Sequence, residues 1–200
     1  MFMKLSDVIV LERKFARSVN LKRDHGEAAV IDSYQVTAKA QEVMERFVAA
    51  LRGENISAWS LVGPYGMGKS SFFNFFLNIT GPDSCVFTKK ALHKLESVNM
   101  GLYGEFTKAK RQIAGKDGFF RIPIISSFEP INNTLARGLR SALPKTNIAG
   151  KDVMLNELDA YMQDTQIKPT FLLDSYQKVA KSLKAPLLII IDELGKNLEY

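Results

Sequence analysis

The chain has 200 residues, enough for one domain of ordinary size or slightly more, and an apolar fraction of 46%, enough to fill a core. Its 27 Lys and Arg against 21 Asp and Glu give a net charge of +6, which permits contact with nucleic acid or another polyanion without requiring it. A single cysteine, Cys85, excludes an internal disulfide; no stretch approaches the roughly 20 apolar residues of a membrane span, and residues 1–14 lack the apolar core of a signal peptide, so a cytoplasmic protein without membrane contact is expected.

Residues 1–33 are mixed and polar, with charges clustered at 12–17 and 22–24. Thr37 is placed to cap a helix whose apolar positions, Ala40, Val43, Met44, Phe47, Ala50 and Leu51, recur at the spacing of one buried face, with Gly53 as its stop. Residues 58–62 are a short apolar run before a glycine-rich turn and are predicted to form a strand. A helix over 69–78 follows. Phe72, Phe73, Phe75, Phe76 and Leu77 leave it almost no polar face, so burial on several sides is expected. Residues 89–113 read as a basic helix, Asp117-Gly118 as a turn, and 119–125 as a second strand, apolar enough for a parallel sheet covered on both faces. Ile131, Leu135, Leu139 and Ala142 mark a helix that stops near Pro144, and 152–163 and 170–183 read as two more. Residues 187–191, five aliphatic side chains in a row, are predicted to be a third strand. Strands alternating with helices predict an α/β fold with parallel strands.

The segment Gly63-Pro64-Tyr65-Gly66-Met67-Gly68-Lys69-Ser70 fits the phosphate-loop pattern G-x-x-x-x-G-K-[ST] at every fixed position, between a predicted strand and a predicted helix. The glycines let the backbone curl so that successive N–H groups converge on an anion. The helix beginning at Lys69, with Ser71 in its first turn, adds the positive end of its dipole. Lys69 brings an ammonium to the β- and γ-phosphates, and Ser70 a hydroxyl to Mg²⁺.

The apolar run 187–191 ends in Asp192-Glu193. A carboxylate at the end of a buried strand is costly without a counter-charge, which a metal-bound nucleotide supplies. On this reading Asp192 holds Mg²⁺ opposite Ser70, and Glu193 activates the water that attacks the γ-phosphate. The bland alternative is a strand running into an exposed acidic turn. The adjacent Glu favours an ATPase over a GTPase or small kinase.

The two motifs resemble those of the additional-strand P-loop ATPases, the group of AAA+ and STAND proteins, and more closely those of bacterial origin-recognition-like AAA+ ATPases, some found in anti-phage defence loci. Also similar are residues 17–24, 33–37 and 58–71, Glu129-Pro130 and residues 191–196. The resemblance implies a three-layer α/β/α P-loop NTPase with a mostly parallel sheet, an N-terminal segment (1–36) bordering the nucleotide pocket, and an ATPase core (37–200) with helical insertions near 88–116 and 147–168. It implies ATP and Mg²⁺ as ligands, a homo-oligomer, and Tyr34 and Thr37 near the adenine; by composition alone Tyr34 is equally a packing residue and Thr37 a helix cap. The family's γ-phosphate sensor strand, arginine finger and helical lid follow the carboxylates, so the chain reads as the N-terminal piece of a longer protein. The family sheet sets that missing strand between the first and third.

Lys108-Ala109-Lys110-Arg111, with Lys89, Lys90, Lys94 and Lys116, is either a solvated helix face or a nucleic-acid contact. Tyr103 and Phe106 read as core rather than as stacking platforms, and Lys196 as surface charge. Three functions follow: an ATPase driving conformational change or assembly, a nucleotide-dependent sensor of a protein partner or effector with little hydrolysis, and a DNA-binding loader.

Overall fold

A computed structural model describes residues 28–53, 58–163 and 170–200. In chain order these form α1 (Ala28–Ser33), α2 (Ala38–Leu51), α3 (Lys69–Ile79), α4 (Val86–Val98), α5 (Met100–Ala114), β1 (Phe120–Ile125), α6 (Ile131–Ala142), a 3-10 turn (Leu143–Lys145), α7 (Lys151–Gln163), α8 (Thr170–Leu183), β2 (Leu187–Asp192) and α9 (Gly195–Leu198). The charge clusters at 12–17 and 22–24, the family-like stretch 17–24 and the end of the second expected insertion lie outside the described residues.

The expected three-layer α/β/α architecture with a mostly parallel sheet is corrected by this structure. The described residues are mostly helical, and their only sheet is one parallel pair, β1 beside β2, in register from Phe120↔Leu187 to Ile125↔Asp192. Residues 58–62, expected as a strand, pair with neither. Most of them are exposed, and Val62 is 90% accessible. A short apolar run becomes a strand only where a neighbour takes up its N–H and C=O groups, and among the described residues this run has none.

Because successive side chains of a strand point to opposite faces, the pair separates two apolar clusters. Ile122 and Ile124 of β1 join Ala136 and Leu139 of α6, Leu158 of α7 and Val179 of α8. Ile190 of β2 joins Met44 and Phe47 of α2, Phe75 and Phe76 of α3, Leu95 of α4 and Phe106 of α5. The all-round burial expected of α3 is present: Phe72, Phe75, Phe76, Leu77 and Ile79 are buried, and Phe47 meets Phe76 edge-on at 4.8 Å between centroids. Each such side chain contributes about 1.5–3 kcal/mol on leaving water. So α3, which starts at Lys69, is anchored along its length.

The basic helix expected over 89–113 is two helices. Asn99 adopts an extended conformation, and its side chain accepts from the Leu102 N–H to cap α5. Its amide also donates to Gln41 of α2 at 2.9 Å, which fixes the break. Among the described residues no helix is long and apolar enough to cross a membrane.

Gly118 joins α5 to β1 where the chain passes the end of α3. Its φ of +68° is left-handed, and a Cβ there would lie 2.5 Å from the backbone carbonyl of Gly81. Next to it the Phe119 N–H donates to Thr80 O at 3.0 Å. A Gly118→Ala chain meets both a strained backbone and a collision with main chain, so it is expected to lose about 2–4 kcal/mol of stability in a denaturant melt. A loss under about 0.5 kcal/mol, that of an ordinary surface change, would contradict this close approach.

Candidate functional site

The glycine-rich loop runs directly into α3. Gly66 (φ +81°) and Gly68 (φ +80°) both hold left-handed conformations that a side chain disfavours, and Gly68 is the N-cap of α3. A Cβ on Gly63, Gly66 or Gly68 would meet nothing within 4 Å, so the space around the loop is open. Among the described residues the N–H groups of Tyr65 through Ser71 make no backbone hydrogen bond. They leave a set of donors at the positive end of a helix, the arrangement that suits an anion. Pro64, Tyr65 and Met67 are exposed, and Ser71 is partly buried in the first turn of α3. The Lys69 ammonium is held by its own loop, donating to the carbonyls of Gly63 at 2.7 Å and Pro64 at 2.8 Å, with the Tyr65 ring centroid 5.8 Å away.

One contact joins the two motifs. Ser70 Oγ donates to Asp192 Oδ2 at 2.7 Å. Asp192, the last residue of β2, is 9% exposed, and its Oδ1 accepts from the Glu193 N–H at 3.0 Å. Both oxygens of this buried carboxylate therefore have donors. Glu193 turns the chain from β2 towards α9 with φ +60°, a left-handed conformation uncommon outside glycine. Its exposed carboxylate accepts from Lys196 Nζ at 2.6 Å, and its carbonyl from the Lys196 N–H at 3.0 Å. The hydrogen bond and charge of Glu193 hold the Lys196 ammonium above the ordinary lysine range, with smaller contributions of the same sign from Tyr65 and Asp192.

A second polar cluster follows β1. Glu129 accepts from Ser127 Oγ at 2.9 Å, Thr134 Oγ1 at 2.7 Å and Arg137 Nη2 at 2.5 Å. Burial raises its carboxyl, but these hydrogen bonds outweigh that and hold it below the ordinary glutamate range. Asn197 of α9 donates to Glu129 O and Thr134 Oγ1, both at 2.8 Å, so the turn after Glu193 is tied to the loop after β1. Sequence reasoning missed Ser127, Arg137 and Asn197, which have no fixed spacing from either motif. It noticed Lys196 but gave it surface charge alone, although its three-residue spacing from Glu193 is a signal for a local pair.

The other candidates make contacts of their own. Tyr34 stacks on Phe75 with centroids 4.6 Å apart, and burial pushes its hydroxyl up to about 12. Thr37 Oγ1 accepts from the Ala40 N–H at 3.2 Å and caps α2. Phe106 is fully buried and Tyr103 packs against the same core. The stretch Lys108 to Arg111 is not one solvated basic face: Lys110 is 1% exposed and pairs with Asp83 at 3.0 Å, and Arg111 Nε reaches the same carboxylate at 2.9 Å. Compared with known proteins, the chain matches no family model, no curated protein and no solved structure.

Burial raises the Asp83 carboxyl, yet the hydrogen bonds from Lys110 and Arg111 outweigh it and hold the group below its ordinary 3.8. A carboxyl depressed by folding contributes stability above its unfolded pKa and loses it as pH falls through the folded value. Asp83→Asn leaves the buried Lys110 ammonium without its partner and is expected to cost about 3 kcal/mol at neutral pH, whereas Arg111→Ala, at an exposed position, costs under about 1 kcal/mol. Urea melts at several pH values check this: the gap between wild type and Asp83→Asn closes below pH 3.8, and a gap independent of pH would refute the pairing.

Proposed function

We propose that this chain binds ATP with Mg²⁺ and hydrolyses it, as the nucleotide-handling part of a P-loop ATPase. The hydrogen bond between Ser70 and Asp192 carries the reading, because it sets a hydroxyl and a carboxylate side by side at the positive end of α3. Mg²⁺ takes oxygen ligands and is commonly held by one or two protein groups, its waters and the phosphates. Ser70 and Asp192 suit that role, and among the described residues no group of three His, Cys, Asp or Glu offers a caged metal site. Lys69 and the N–H groups of Tyr65 through Ser71 would hold the phosphates, and Glu193 would orient the attacking water.

The resemblance to origin-recognition-like AAA+ and STAND ATPases extends the proposal. Hydrolysis drives a conformational or assembly change in a larger homo-oligomeric protein, with anti-phage defence as its setting. A second reading, a nucleotide-dependent sensor with little hydrolysis, is favoured by one observation: Lys69 and Glu193 are both engaged by protein groups, Lys69 by loop carbonyls and Glu193 by Lys196. The inward-pointing Lys110 weakens the DNA-loader reading.

Titration of the full-length protein with ATP in Mg²⁺, together with steady-state phosphate release, tests the proposal. Lys69→Ala removes a charge-assisted phosphate contact and is expected to weaken nucleotide binding by roughly tenfold to a hundredfold. Glu193→Gln is expected to keep binding while lowering turnover by about 10²–10⁴. If Lys69→Ala binds ATP as tightly as wild type, the phosphate-loop assignment is wrong; if Glu193→Gln turns over at the wild-type rate, the role of Glu193 is wrong.

A further inference from the structure

Glu193 combines two features that a water-activating carboxylate does not need. Its backbone is left-handed, which a non-glycine residue adopts only when its surroundings hold it there, and its side chain is captured by Lys196, three residues on. The capture is reinforced by the backbone: the Lys196 N–H closes the turn on the Glu193 carbonyl at 3.0 Å, and the Asn197 N–H closes the next one on Leu194 O at 3.0 Å. Asn197 also fixes this short helix to Glu129 and Thr134, so the backbone that carries Lys196 is held in place. A carboxylate oxygen held by an ammonium at 2.6 Å is occupied, and a water molecule must displace that ammonium to take its place.

We propose that Lys196 is a positioning residue that restrains Glu193, holding its carboxylate in a turn-locked ion pair that must open before water is activated. The inference rests on the ATPase reading of the site. It adds that a local contact within the chain holds turnover back. The pair is solvent-exposed on both sides, with the side chains of Lys196 and Glu193 39% and 44% accessible. Such a pair is weak, so the restraint is modest and opens readily.

Single-turnover and steady-state ATP hydrolysis by the full-length protein, with nucleotide affinity measured in parallel, tests this on Lys196→Met and Lys196→Arg, with Lys69→Ala as the binding control. Lys196→Met is expected to raise kcat by roughly two- to fivefold, the rate equivalent of an exposed ion pair, with ATP affinity within about twofold of wild type. Lys196→Arg restores a cation and falls closer to wild type than Lys196→Met does. An unchanged or lowered kcat in Lys196→Met with normal affinity overturns the restraint. A lowered kcat with affinity weakened tenfold also overturns it and marks Lys196 as a phosphate ligand instead. If wild type and Lys69→Ala alike bind no ATP, the ATPase reading fails and the restraint falls with it, a result distinct from either of the others.

Discussion

A carboxylate that is nine-tenths buried at the end of an apolar strand is costly unless hydrogen-bond donors lie beside it. Asp192 finds two, the hydroxyl of Ser70 and the N–H of Glu193, and the rest of the site is arranged by that need. Because Ser70 belongs to the first turn of α3, satisfying Asp192 draws the start of that helix to the tip of β2. Because α3 begins at the glycine-rich loop, the loop comes with it. A helix whose Phe72, Phe75 and Phe76 are packed on its neighbours cannot drift from this position without opening the core.

The same need explains why two strands are enough to organise so helical a chain. β1 and β2 are six residues each, with apolar side chains alternating between two clusters. The parallel register places Ile125 opposite Asp192, and the Ser126 N–H donates to Asp192 O at 3.0 Å. The strand ends are thereby level, and the polar residues that follow β1, Ser127 and Glu129, meet α9 just beyond β2. Arg137 locks this end by donating both to Glu129 and to the carbonyl of Ile125. Polar groups thus converge at the carboxyl ends of the strand pair, while the apolar residues fill both sides of its middle.

Much of this was legible in the sequence, and the parts that were not share a cause. Helices with long periodic faces, such as α2, α6 and α8, appear within a few residues of their expected bounds, because a repeated 3.6-residue signal depends on local spacing alone. The segments 63–70 and 192–193 were singled out by residue type at fixed positions, and the Ser70–Asp192 hydrogen bond brings them together. Residues 58–62 were misread because a five-residue apolar run carries no sign of whether a partner strand exists. Asn99 was missed because one capping residue inside an otherwise helical pattern alters no periodicity. The burial of Lys110 depends on Asp83, 27 positions away, which no local pattern reveals. The three-layer sheet was inferred from resemblance, and resemblance in two motifs does not fix the number of paired strands.

In the structure each charged group of the site is already paired: Lys69 with loop carbonyls, Asp192 with Ser70 and a backbone N–H, Glu193 with Lys196. A polyphosphate with its metal would have to exchange these partners, not simply occupy empty donors. The exchanges are unequal. Lys69 would exchange two carbonyl dipoles for an anionic oxygen, adding charge–charge attraction to the charge-assisted bonds its ammonium already makes. Ser70 and Asp192 would each give up the other and meet the same cation, so their separation costs little. Glu193 gains nothing from phosphate, and its pairing with Lys196 changes only if the ammonium leaves. On the proposed reading residues 63–70 would be the part of the site that gains by binding, and the turn after β2 the part that would have to be moved by it. Affinity and turnover would then reside in different segments of the chain.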